Sequence, residues 1–176
     1  YGQEADAAIF ESRSKVSSLM GAKPEMVIFT SGGTESDNLA MRGTVFRMRE
    51  DHGANHLLIS PVEHPAVIET ARHLARHHGF ELEMLPVDGF GRISPEDVRK
   101  RLRSDTAIVS VIYANNEIGT INPIEEIALI CSEEGIPFHT DAVQAAAHLA
   151  IDIHKESIDL LSMGAHKFYG PKGVGA

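Results

Sequence analysis

Short apolar runs alternate with helix-length stretches along almost the whole chain, and this alternation leaves few folds open. The runs are Met26-Val27-Ile28-Phe29, His56-Leu57-Leu58-Ile59, Glu81 to Leu85, Ala107 to Ile112, Ile136 to His139 and Ile158 to Ser162. Helical patterns fill the gaps. One runs from Glu4 to Met20 and is stopped by Gly21; another continues through Asn38 to Arg49; a third, Pro65 to His78, opens on a proline suited to a first turn. Ser94-Pro95-Glu96-Asp97 reads as a capped start with basic Arg99 to Arg103 at the far end, as the helix dipole favours, and Pro123 to Glu134 is the last. Strands separated by helices pair in parallel, and a parallel sheet must be covered on both faces. The expected class is α/β, a mostly parallel sheet with helices on both faces. Ligands in such open sheets bind beyond the carboxyl ends of the strands, so the residues directly after each run are the candidates for chemistry.

Composition narrows the partners. The 176 residues are 43% hydrophobic, enough for one domain with a sizeable core. With 16 Lys and Arg against 25 Asp and Glu, the formal charge of -9 argues against nucleic acid or an anionic membrane as partner. No stretch approaches a membrane-spanning length and Tyr1-Gly2-Gln3-Glu4 does not resemble a signal peptide, so the expected location is cytoplasmic. The single cysteine, Cys131, leaves no internal disulfide, and the 10 histidines lack zinc-like spacing, so no metal is expected. His73 and His77 stand at helical i, i+4 spacing, but among Arg72, Arg76 and His78 they read as a solvated face. Cys131 shares the apolar stripe of its helix with Ile124, Ile127 and Ala128, where a buried thiol is inert.

The residues at the run ends form a set. Ser31-Gly32-Gly33-Thr34 places two glycines before a helix, where free N–H groups and the dipole suit an anion such as phosphate. It matches neither the nucleotide P-loop nor the dinucleotide fingerprint, so ATP and NAD are poor candidates. Glu63-His64 offers an imidazole that can stack on a planar ligand or move protons. Asn115-Asn116-Glu117 offers amide donors, and Asp141 with Gln144 offers a carboxylate able to hold a heteroaromatic nitrogen protonated. Gly164-Ala165-His166-Lys167, followed by a glycine-rich turn, ends the series with a lysine of the kind that reacts with carbonyls. Each has an ordinary alternative: Thr34 and Asn116 as helix caps, His64 as a loop residue, Asp141 as an N-cap, Lys167 as a surface lysine. Together they outline a pyridoxal phosphate site.

The segments Thr30 to Asn38, Glu63-His64, Asn115-Asn116-Glu117-Ile118-Gly119, His139 to Gln144 and His166 to Gly173 resemble those of the cysteine desulfurases of the NifS/IscS type, pyridoxal phosphate enzymes of the class V aminotransferase superfamily. The resemblance runs through the whole chain in the same motif order. It implies that Lys167 bonds the cofactor covalently and takes the substrate's α-proton, with His64 stacking on the ring and assisting proton transfer. Asp141 is implied at the ring nitrogen, Gln144 and Asn116 at the ring hydroxyl or the substrate, and Gly33, Thr34 and His166 at the phosphate. It implies L-cysteine as substrate, alanine and an enzyme persulfide as products, a sulfur-accepting scaffold or carrier protein for iron–sulfur cluster assembly or other sulfur transfer, and a homodimer whose site the neighbouring subunit completes. A selenocysteine lyase or another lyase of the superfamily, and a non-catalytic module that binds cofactor or partner, are the alternatives. Gly164 stands where the family commonly has a serine phosphate ligand. The family pattern also makes residues 1–176 the cofactor-binding large domain, short at both ends, with the small C-terminal domain, the substrate-carboxylate arginine and the nucleophilic cysteine loop outside it, so that the chain alone is expected to be inactive.

Overall fold

The computed structural model describes residues 1–176. Five strands, β1 (His56–Ile59), β2 (Glu81–Met84), β3 (Thr106–Ser110), β4 (Phe138–Asp141) and β5 (Leu160–Ser162), form one sheet in the order β2-β1-β3-β4-β5, every pairing parallel. The helices are α1 (Gly2–Leu19), α2 (Gly33–His52), α3 (Pro65–His78), α4 (Pro95–Arg101) and α5 (Ile124–Glu133). The chain leaves β1 for β2 through α3, then crosses back to β3 through α4 and on to β4 through α5. The strand order therefore reverses between β1 and β3, which is where a doubly wound sheet opens a crevice.

The alternation of side chains along the strands builds a core on each face. Leu57, Ile59 and Ile108 pack with Met41, Val45, Val67, Ala71 and Leu74 of α2 and α3. Leu58, Val109 and Phe138 pack on the other face with Val98, Ile124, Ile127, Ala128 and Cys131 of α4 and α5. All residues of β1, β3 and β4 are buried, as expected of strands covered on both sides.

Two expectations fail. Met26 to Phe29 is not a buried strand: Pro24–Met26 forms a 3₁₀ turn, Ile28 is exposed, and regular pairing there is reduced to a single antiparallel bridge between Thr30 and Gly175. A strand needs a partner over several residues, and this segment has one for a single residue. Ser94 occupies the N-cap of α4 without a side-chain capping bond.

Candidate active site

A cleft of about 370 Å³ opens at the carboxyl end of the sheet, and Gly33, Thr34, His64, Asn116, Asp141, Gln144, His166 and Lys167 all line it. The structure thus gathers every site residue expected from the sequence, from five separate segments. A larger groove of about 780 Å³ runs between α2 and β5, lined by Met26, Ile28, Leu39 and Leu161 among others; it holds none of these residues. The chemistry belongs to the smaller cleft, where the polar groups converge.

The anion end is built by backbone. The amides of Gly33, Thr34 and Glu35 open the 20-residue helix α2 without an acceptor elsewhere in the chain, and the helix dipole favours negative charge there. The Ser31 amide is taken by Glu35 Oε2 at 2.6 Å and Thr30 Oγ1 pairs with Ser36 Oγ at 2.7 Å, so the loop is braced from behind. A side chain at Gly175 would meet the Gly32 carbonyl carbon at 2.5 Å, so that segment seats backbone against backbone behind the loop. His166 stands beside Gly164: a Cβ there would lie 3.3 Å from the His166 ring and 3.5 Å from the Gly33 nitrogen.

The other groups follow the strands. His64 caps α3, its Nδ1 accepting the Ala66 amide at 3.1 Å, so the neutral ring carries its proton at Nε2. Asn115, not Asn116, stabilises the loop after β3: its Nδ2 donates to the Val62 carbonyl at 2.8 Å and its Oδ1 accepts the amides of Glu117 and Ile118, which leaves Asn116 to the cleft. Asp141 ends β4, buried, with Oδ1 accepting the Val143 amide at 2.9 Å in a turn. Burial raises its pKa, against the Val143 amide and the nearby His64 imidazole, which lower it. Lys167 closes a short 3₁₀ turn (Ala165–Lys167) and is exposed at the cleft, forming no ion pair. The surface-lysine alternative thus describes its exposure, though not its company. Thr34, Asn116 and Asp141 are not helix caps; Gly32 occupies the N-cap of α2.

Three buried groups escaped the sequence reading. Asp37, one turn into α2, lines the cleft at 1% exposure, and its Oδ1 lacks a hydrogen-bond partner. Its spacing of four from Gly33 was the available signal, since both fall on one helix face. Glu63 Oε1 accepts the Ile112 amide while Oε2 is unpartnered, and burial holds its carboxyl well above the usual range. His139 is buried between Ser110 Oγ, 2.8 Å from Nδ1, and Ser162 Oγ, 3.0 Å from Nε2; burial pushes it down to about 4, so it is neutral. Ser162 thus faces His139 and not the phosphate end. Polar atoms of Asp37, His64 and Asp141 lie within 4.8 Å of one another.

The aminotransferase class-V family matches residues 1–176. The chain is 49% identical over 176 residues to cysteine desulfurase IscS of Dictyoglomus turgidum, covering 100% of this chain and 44% of that protein. It is 45% identical over 177 residues to the mitosomal cysteine desulfurase of Encephalitozoon cuniculi, covering 100% and 40%. Among solved structures, SspA in complex with cysteine superposes with a TM-score of 0.93 at 39% identity over 99% of this chain and 49% of that one. A NifS-like protein follows with a TM-score of 0.91 at 38% identity, over 99% and 47%. The chain spans less than half the length of these relatives.

Proposed function

The chain belongs to the aminotransferase class-V family, and from that premise we propose that residues 1–176 are the pyridoxal phosphate-binding large domain of a cysteine desulfurase. The supporting observation is the convergence of a backbone anion cradle, an imidazole, two amides, a buried carboxylate and a lysine in one cleft. These residues fit the cofactor: the cradle has the free amides a phosphate needs, and a cationic ring nitrogen would offset the penalty that burial puts on the Asp141 carboxylate.

Pyridoxal phosphate, when bound, supplies the electron sink that makes a bond to the substrate's α-carbon labile. The chain does the rest. Gly33, Thr34 and His166 hold the phosphate, and Asp141 faces the ring nitrogen. His64 would cover the ring from the cleft wall. Asn116 and Gln144 contact the ring hydroxyl or the substrate. Lys167 Nζ would hold the cofactor and take the substrate's α-proton. Cysteine as substrate draws support from the desulfurase relatives and from the cysteine-bound structural neighbour. The products would be alanine and a persulfide, the sulfur passing to an acceptor or scaffold protein, in a dimer working in the cytoplasm. No helix is long and apolar enough to cross a membrane. Cys131 cannot receive the sulfur: it is fully buried, and burial and the Asp159 charge push its thiol up to about 12.

Reduction with borohydride in the presence of pyridoxal phosphate, followed by peptide mapping, tests the reading. The adduct should sit on Lys167 and vanish in Lys167→Ala. An adduct on Lys155 or Lys172 that survives the substitution would sink it.

A further inference from the structure

Of the carboxyl groups lining the cleft, Asp37 alone has a buried oxygen that nothing in the chain answers. It rises from the first turns of α2 at 1% exposure, with Oδ1 3.7 Å from His139 Nε2 and an oxygen within 4.8 Å of both the Asp141 carboxyl and the His64 ring. Two carboxylates so close in a water-poor site do not both ionise readily; they titrate as a pair. The two surroundings differ. Asp141 accepts the Val143 amide and lies near the His64 ring, and both favour its charged form. Asp37 has no amide donor, and the imidazole beside it is a neutral one already engaged by Ser110 and Ser162.

We propose that Asp37 and Asp141 work as one titrating pair carrying a single negative charge, the charge on Asp141 and the proton on Asp37. Asp37 is then a positioning residue that fixes the charge on the cleft floor. The groups facing it are Asp141 and His139 from β4, Ser162 from β5, and Glu63 and His64 from the turn after β1. Burial first, then the Asp141 charge, push Asp37 up to about 8, with the Ser162 hydroxyl opposing. Glu63 is raised by burial and by the same two carboxyls. One net charge matches one cation, which on the proposed function is the protonated ring nitrogen. That use rests on the proposed function; the pair itself is a property of the chain.

Carboxyl-¹³C NMR of aspartate-labelled protein without cofactor tests the pair. Wild type should show Asp37 and Asp141 titrating in two separated steps, the upper near pH 8. The upper step should disappear in Asp37→Asn and move to lower pH in Asp141→Asn. Denaturation at a series of pH values gives a second readout. A folded-state pKa raised above the unfolded value gives stability at low pH that is lost as pH rises through the folded value. Asp37→Asn should remove that loss and gain on wild type steadily as pH climbs towards 8, a trend that a merely structural role for Asp37 would not produce. An Asp37 that titrates with ordinary carboxylates, or whose step ignores Asp141→Asn, refutes the pair. Two clean steps in a protein that binds no pyridoxal phosphate would overturn the proposed function and leave the pair standing.

Discussion

A Cβ built on Gly33 would lie 2.6 Å from Val143 Cγ2, so the loop that opens α2 and the turn after β4 close on each other at a residue with no side chain. Val143 is stiff at χ1 and its amide donates to Asp141, so moving it also moves the carboxylate. Gly33→Ala should therefore cost about 1–3 kcal/mol of stability by overpacking. It should also weaken pyridoxal phosphate by about tenfold or more, the equivalent of roughly 1.4 kcal/mol. Val143→Ala in the same chain should restore most of both, as read by denaturation and by titration of cofactor absorbance. Equal losses in the single and double variants would show that the contact is not the cause.

His64 does two jobs that substitutions can separate. Its Nδ1 caps α3, and its ring lines the cleft. His64→Ala should lose the cap at a cost of about 0.5–2 kcal/mol, whereas Asn is among the best capping residues and should restore it. Neither variant has an imidazole, so both should lose proton-transfer rate in the whole enzyme by about 10²–10⁴-fold, the usual contribution of a placed acid or base. Stability recovered by Asn together with rate would assign His64 to the cap alone.

Much of this was readable in the chain. Buried parallel strands announce themselves as apolar runs, and once the runs are placed, the residues that follow them share one edge of the sheet; hence Thr34, His64, Asn116, Asp141 and Lys167 meet. What escaped depends on contacts distant in sequence. Met26 to Phe29 has the composition of a strand, but the one bridge beside it, from Thr30 to Gly175, depends on a residue about 145 positions on that also bridges Gly164. Asp37 lies in a polar string and looks solvated until α2 is laid over β4 and β5. Lys167 follows directly on the last apolar run, and only the short 3₁₀ turn after that run carries it to the surface.

His139 gives a pH prediction of opposite sign to that of Asp37. Burial lowers its folded pKa to about 4, below its ordinary value of 6.5. A depressed folded pKa means stability that is present above the unfolded value and lost as pH falls, because the unfolded chain takes up the proton first. Wild type should thus weaken between about pH 6.5 and pH 4 relative to His139→Asn, whose side chain does not titrate there. Denaturation midpoints for both proteins across that window decide it. Parallel curves would mean that His139 accepts its proton while folded, and that the serine pair around it tolerates an imidazolium.

Cys131 provides the sharpest separation of packing from chemistry. It lies in the core with Ile124, Ile127 and Phe138, and its raised pKa keeps it a thiol at neutral pH. The folded chain should fail to react with a thiol reagent at neutral pH and react fully once denatured, since the thiolate is the reacting species. Cys131→Ser puts a hydroxyl among aliphatic side chains and should cost about 1–3 kcal/mol. Residues 1–176 loaded with pyridoxal phosphate and given L-cysteine should release neither sulfide nor alanine at a sustained rate, because the only thiol cannot reach the substrate's sulfur. Sustained release of both, lost in Cys131→Ser while the variant remains folded, would show that the α5 face opens and that Cys131 is the sulfur acceptor after all.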